Sequence, residues 1–307
     1  MADVTRKPVV LTMGVFDGVH SGHRALLHHA VERAQALDGT VTAATFDPHP
    51  TAFLRPDAFL GLLTLPERRI ELLKASGADV VEVLKFDIAM SRMSAEDFVE
   101  SVVVEQLHAD LVIVGTNFRF GHKAAGDVSK LQELGLKYGF DVEIFDLAGD
   151  VSVWSSTRVR QDILDGDLES SRSILGRPHR LTGEVVHGDH RGRELGFPTA
   201  NVNVRGGLII PMDGVYSGLL ATATQVYPVA ISIGTNPTFE GVEGRRVEAH
   251  VIGHTDLDLY GQIVDLDFIS FVRGMQAFEG IEPLIEAMNR DVAVANSQIS
   301  DFLDANN

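Results

Sequence analysis

Cysteine is missing from all 307 residues. Disulfides, thiolate zinc centres, iron–sulfur ligation and a thiol nucleophile are excluded together. Basic side chains are scarce: 26 Lys and Arg stand against 43 Asp and Glu, a net charge of −17. A duplex-binding protein needs a basic stripe facing the phosphates, so no nucleic-acid partner is expected. A small phosphorylated ligand stays open, because a few local donors and Mg²⁺ can hold one against an adverse global field. Long apolar runs are lacking as well, and none reaches the roughly 18 residues of a membrane span. Met1–Val15 has two basic residues but neither a long apolar core nor a cleavage-like site, so it does not read as a secretory signal. No membrane partner and a cytoplasmic location are therefore expected. What is present is core-forming material: 45% of residues are apolar, which rules out a disordered chain. At this length two domains are expected.

The first half alternates strand-like and helix-like segments. Val9–Phe16, Val41–Phe46, Val80–Leu84, Leu111–Val114 and Val142–Phe145 read as strands. Arg24–Leu37, Pro66–Ala75, Ala95–Leu107 and Asp127–Tyr138 read as the helices between them. This is the pattern of βαβ units on a parallel sheet. Beyond about residue 175, Gly and Pro become frequent and short β-rich runs follow one another: Leu181–Val186, Gly214–Ala221, Val226–Ile233, Arg246–Val251 and Ile263–Val272. An antiparallel barrel or sandwich is expected there. A closing helix places Ile281, Leu284, Ile285, Met288, Val292 and Ile299 on one stripe. The fold class is thus α/β, a Rossmann-like module over residues 1–174 joined to a β-barrel module over residues 175–307.

Chemistry-bearing residues gather at strand ends. Gly14-Val15-Phe16-Asp17-Gly18-Val19-His20-Ser21-Gly22-His23 lies between the first strand and the first helix, where open α/β sheets bind ligands. Its glycines let a phosphate approach the backbone, and two imidazoles three residues apart can meet the same oxygens. No Gly-Lys-Ser/Thr follows, so it is not a Walker loop; an isolated HxxH would be read as a glycine turn with surface histidines. Ser155-Ser156-Thr157-Arg158-Val159-Arg160 opens a helix with hydroxyls and two arginines able to grip phosphate. Thr45–Pro50 and Gly115–Gly121, at two further strand ends, offer aromatic surface beside polar groups. In the second half, Gly183–Phe197 is a glycine-spaced loop followed by Pro198-Thr199-Ala200-Asn201. A hydroxyl and an amide oxygen two residues apart in an extended run can share one hard cation. Glu248, in Arg246–Val251, is either an exposed strand carboxylate or a general base.

The HxGH loop with the later SSTxxR helix resembles the nucleotidyltransferase superfamily. The fuller set GVFDGVHSGH, TFDPHP, GTNFRFG and SSTRVR, followed by GRELGFPTAN, DGVYSG, ISIGTNPTF, VEAHVIG and LYGQ, resembles the bacterial bifunctional riboflavin kinase/FAD synthetases. The resemblance implies riboflavin, FMN, FAD and ATP as small-molecule substrates and products, with Mg²⁺. It implies that Gly14, Phe16, Asp17, Gly22, Ser156, Thr157 and Arg158 bind ATP for adenylyl transfer, with His20, His23 and Arg160 catalytic. His49, Asn117 and Phe120 would seat FMN. In the kinase module Gly183, Gly188, Gly192, Gly196 and Pro198 would surround nucleotide or flavin. Thr199 and Asn201 would serve the metal, Glu248 would activate the ribityl hydroxyl, and Arg273 would lie in a mobile flap near the flavin. Val153-Trp154 departs from the family pattern. Alternatives are an adenylyltransferase for another acceptor with a non-catalytic flavin-binding second domain, or a purely flavin-binding protein. Self-association stays open.

Overall fold

The computed structural model describes residues 6–146, 155–188, 196–235 and 245–306. Val153-Trp154, Gly192 and the 236–239 end of the ISIGTNPTF run lie outside the described residues. The chain forms two compact units, Met1–Ser156 and Thr157–Asn307.

The first unit is built on strands β1 (Val9–Met13), β2 (Thr40–Asp47), β3 (Val80–Lys85), β4 (Leu111–Gly115) and β5 (Asp141–Phe145). All pairings are parallel and the order is β3-β2-β1-β4-β5. Successive strands therefore leave β1 in opposite directions, which opens a crevice at its carboxyl end. β1 stops at Met13, three residues before the end of the expected strand run, because Phe16 and Val19 adopt positive φ and break the pleat. Alternate residues of the central strands feed two cores on opposite faces. Leu11, Val112 and Val114 pack in one, Val10, Leu111 and Ile113 in the other. Continuous burial on both faces is why these strands read as unbroken apolar runs.

Helix α1 (Ser21–Ala36) buries Leu26, Leu27, Ala30 and Ala34. Two short helices, α2 (Pro50–Leu54) and α4 (Ile88–Arg92), flank α3 (Pro66–Ala75) and carry too few residues for a detectable period. Next, α5 (Ala95–Phe98) continues as the π-helical turns of Val99–Gln106, which bury Val99, Val102 and Val103. Then α6 (Val128–Tyr138) ends at Gly139 in the left-handed region, a common stop for a helix.

In the second unit, α7 (Ser156–Leu164, whose first residue closes the first unit) and α8 (Leu168–Leu175) precede six strands. These are β6 (His179–Val186), β7 (Thr199–Val204), β8 (Gly214–Ala221), β9 (Val226–Thr235), β10 (Arg245–Val251) and β11 (Ile263–Arg273). They pair antiparallel in a closed barrel, β10-β7-β6-β11-β8-β9. Val247, Ala249 and Val251 of β10 point inward, while Arg246, Glu248 and His250 alternate with them on the other face. The terminal helix α9 (Ile281–Ala305) buries Ala287, Asp291, Ala295 and Ile299 at four-residue steps. Ile281, expected on that stripe, is exposed instead; the buried face is made of smaller residues that let the helix approach the barrel closely.

Helices α7 and α8 are covered on their apolar faces: Val159, Ile163, Leu168 and Ile174 are all buried. The Arg172 guanidinium lies 5.2 Å over the Phe302 ring of α9. Burying one such aliphatic side chain is worth about 1.5–3 kcal/mol. A fragment starting at Thr157 is therefore expected to melt roughly 10 °C or more above one starting at Leu175, although both hold every barrel strand. Thermal unfolding of the two fragments checks this.

Candidate active sites

The Gly14–His23 segment is held from below by buried donors. The Val15 carbonyl accepts from Thr45 Oγ1 at 2.8 Å and from Arg69 Nη1 at 3.0 Å. The Asp17 carboxylate accepts the Leu63 and Thr64 amides at 2.9–3.1 Å and the Thr64 hydroxyl at 3.1 Å. Thr64 Oγ1 in turn accepts the Gly18 amide. These ties hold Phe16 at φ 52° and Val19 at φ 37°, conformations that are unfavourable for side chains of that bulk. The side chains of Phe16 and Asp17, two residues expected at the nucleotide, thus act as internal supports of the loop. The Phe16 ring is buried against Gly14 and His23, and the Asp17 carboxylate is committed to the Leu63–Thr64 loop.

Above these supports, the His20 and His23 rings stack with centroids 3.6 Å apart. His20 caps α1, its Nδ1 accepting the His23 amide, which leaves Nε2 as the protonated nitrogen of the neutral ring. His23 is half-buried, and its Nδ1 is out of water with no hydrogen-bond partner. Burial, then the neighbouring His20, holds its pKa well below 6.5, so the ring is neutral near pH 7. Gly22 is buried in the same first turn. The Ser156 hydroxyl donates to the Asp17 carbonyl at 2.8 Å. Thr157 is exposed. In the second unit, Arg158 Nε pairs with Asp162 at 2.6 Å and Arg160 is buried.

At the carboxyl ends of β2, β3 and β4 lies an apolar cavity of ≈ 730 Å³. Phe46, Phe86, Met90, Phe98, Phe118 and Phe120 form its walls, and Arg55, Arg119 and Lys123 are at its margin. Phe118 and Phe120 stack at 5.6 Å, so these rings serve both core and cavity. Of the residues expected to seat a flavin, Phe120 lines this cavity and Asn117 is exposed beside Gly115. His49 is buried outside the lining: it caps α2 through Thr51 and packs on Phe59.

The second unit has its own cavity, ≈ 370 Å³, lined by Pro198, Thr199, Ala200 and Asn201 on one side and by His254–Tyr260 on the other. Glu248 pairs with Asn201 across β10 and β7, and the Thr199 hydroxyl donates to Glu248 Oε2 at 3.4 Å. Gly188 passes so close to Asn201 that a Cβ would overlap the amide side chain. Gly183 is equally confined by the backbone of Asn203, whereas Gly196, at φ 85°, turns the chain in open space. Arg273 is not in a flap: it closes β11 and forms a bidentate ion pair with Asp291 at 2.7 and 2.8 Å. Among the described residues no group of three or more His, Asp or Glu is placed to cage a metal. None of the helices there is long and apolar enough to cross a membrane.

A FAD synthetase family model matches residues 3–158 and a riboflavin kinase model matches residues 175–299. The bifunctional riboflavin kinase/FMN adenylyltransferase of Escherichia coli K12 is 35% identical over 298 residues, 96% of this chain and 94% of that protein. The chain belongs to this bifunctional family. Its Listeria monocytogenes member is 33% identical over 92% of this chain and 90% of that one. A Streptococcus pneumoniae crystal structure, described as a macrolide-efflux protein, superposes with a TM-score of 0.85 at 30% identity over 95% of both chains. That match extends over both units of the chain.

Sequence reasoning missed the Thr45–Arg69 pair beneath the histidine loop. The signal was there: Arg69 falls four residues from both Leu65 and Leu73, on the buried face of α3. It also missed the His254–Tyr260 wall, whose polar residues resemble an ordinary turn.

The histidine has a consequence for stability. Unfolded, His23 protonates near its ordinary value of 6.5, but folded it resists the proton. The unfolded state then binds more protons below that pH, so stability falls as pH drops below about 6.5 and levels off above it. A His23→Gln variant is expected to lose less stability than wild type between pH 7.5 and 5, as read from urea midpoints at each pH.

Proposed function

We propose that the chain makes FAD in two ATP-dependent steps, phosphorylating riboflavin in the barrel unit and adenylylating FMN on the sheet unit. One observation carries this reading: each unit holds its own cavity, and each cavity adjoins residues that the family resemblance assigns to its step. The functional boundary proposed is 174/175, since the last adenylyl-transfer motif ends at Arg160 and the first kinase motif begins at Gly183; by packing, α7 and α8 go with the barrel. A cytoplasmic location is part of the proposal.

In the kinase step the terminal ribityl oxygen attacks the γ-phosphorus of ATP, a new O–P bond forms, and ADP leaves. Glu248 takes the hydroxyl proton as that bond forms. Thr199 Oγ1 and the Asn201 amide oxygen are hard neutral donors in neighbouring outward positions. They suit Mg²⁺, which usually keeps only one or two protein ligands beside water and phosphate. When bound, the ion would neutralise phosphate charge. The Thr199 hydroxyl also orients Glu248, and the ≈ 370 Å³ cavity beside Thr199 and Asn201 would take the nucleotide.

In the adenylyl step an FMN phosphate oxygen attacks the α-phosphorus of a second ATP and pyrophosphate leaves. Neither step needs a covalent enzyme intermediate, so a chain without cysteine can perform both. His20 and the neutral His23 ring would donate N–H bonds to phosphate oxygens, where charge grows as the bond breaks. The phenylalanine-lined cavity would take the isoalloxazine, with the cationic margin favouring the phosphorylated flavin.

Incubation of the pure protein with riboflavin and Mg²⁺–ATP, followed by flavin separation, is expected to yield FMN and then FAD; unchanged riboflavin would overturn the reading. Removing one charge-stabilising donor typically costs about 10²–10³ in rate, so His23→Ala is expected to slow FMN adenylylation by that factor and leave riboflavin phosphorylation near wild type. The reverse selectivity is expected for Glu248→Gln. Loss of a general base costs about 10²–10⁴, towards the lower end if proton transfer comes late. FMN-to-FAD conversion should be untouched, and KM for riboflavin should move far less than kcat in steady-state assays.

A further inference from the structure

Arg69 is 1% exposed, and neither the resemblance nor the mechanism above uses it. Its Nη1 and the equally buried Thr45 hydroxyl both donate to the Val15 carbonyl, so both lone pairs of that oxygen are occupied. A trans peptide is planar, with its C=O and N–H pointing in opposite directions. With the Val15 oxygen drawn inward towards Arg69 and Thr45, the Phe16 N–H must point outward, to the other side of the loop. Among the described residues that N–H has no acceptor. Arg69 Nε is likewise buried without a partner, so the guanidinium is not placed there to satisfy its own donors.

We propose that Arg69, with Thr45, is a positioning residue for adenylyl transfer: the pair sets the Val15–Phe16 peptide so that the Phe16 N–H faces the nucleotide phosphates. The inference rests on the adenylyl-transfer reading of this loop. It predicts that the pair governs the reaction of ATP and not the capture of FMN, since neither residue lines the phenylalanine cavity.

The test uses the full chain and measures both activities on each preparation. Wild type is assayed first for FAD formation from FMN and ATP; if it makes none, the functional reading fails and takes this inference with it. Given an active wild type, Arg69→Met is expected to lower kcat/KM for ATP in adenylylation by roughly 10²-fold. KM for FMN and riboflavin phosphorylation should stay within about twofold, and Arg69→Lys should recover most of the loss, because a lysine can still donate to the carbonyl. Thr45→Val removes only the hydroxyl, conserves shape, and is expected to cost roughly tenfold; it carries the test if Arg69→Met does not fold. The double variant should lose less than the product of the single losses, because both residues act on one carbonyl. Wild-type adenylylation in both single variants would overturn the assignment, and so would equal loss of both activities in a folded variant.

Discussion

The Asp17 side chain lies almost wholly out of water, and a carboxyl group there is tolerable only if its oxygens are met by donors. Those donors come from Leu63 and Thr64, far along the chain, so one buried group fixes where the loop before α3 must run. That loop leads directly into Leu65, Arg69 and Leu73, the face of α3 that turns inward. Arg69 then reaches the Val15 carbonyl, and the strained turn between β1 and α1 is braced at two points two residues apart. Burial pushes the pKa of Arg69 down, while Asp17 and Asp47 oppose that shift. The stacked histidines are the outer layer of this arrangement.

The barrel solves a different problem by simple alternation. Inward residues of β10 are Val247, Ala249 and Val251, and the residues between them are free to do chemistry on the outer face. Register does the rest: pairing Glu248 with Asn201 sets carboxylate and amide side by side, and the next outward pair joins His250 to Thr199. A one-residue slip would turn every one of these groups inward. The apolar core and the polar site are thus specified by the same pairing.

Much of the fold was legible because the buried strands and longer helices carry clear periods. The stretches Pro66–Ala75 and Gly214–Ala221 coincide with α3 and β8 from end to end. What escaped had no period to show. The helices α2 and α4 span one turn each, and β7 follows a glycine-rich loop and fully buries only Val202 of its six residues. At the sites, motif residues were legible as chemistry but their division of labour was not. Nothing in GVFDGVHSGH distinguishes an aspartate that props a loop from one that meets a ligand. Equally, Arg273 in its motif gives no sign that Asp291, nearly three turns into α9, takes both ends of its guanidinium.

A closed barrel also differs from an open sheet in what it offers to other chains. Every strand of the ring has two neighbours, so no row of backbone donors and acceptors is left to template a foreign strand. The five-stranded sheet has two such rows, one on β3 and one on β5. Both carry charge: Glu82 and Lys85 on the first, Asp141 and Glu143 on the second, with Glu143 gripped by Arg33 and His29 of α1. Desolvating those groups to stack sheet on sheet would be costly. The acidic excess of the chain, which at first only excluded partners, is thereby also a guard against edge-to-edge aggregation in the unit that has edges to guard.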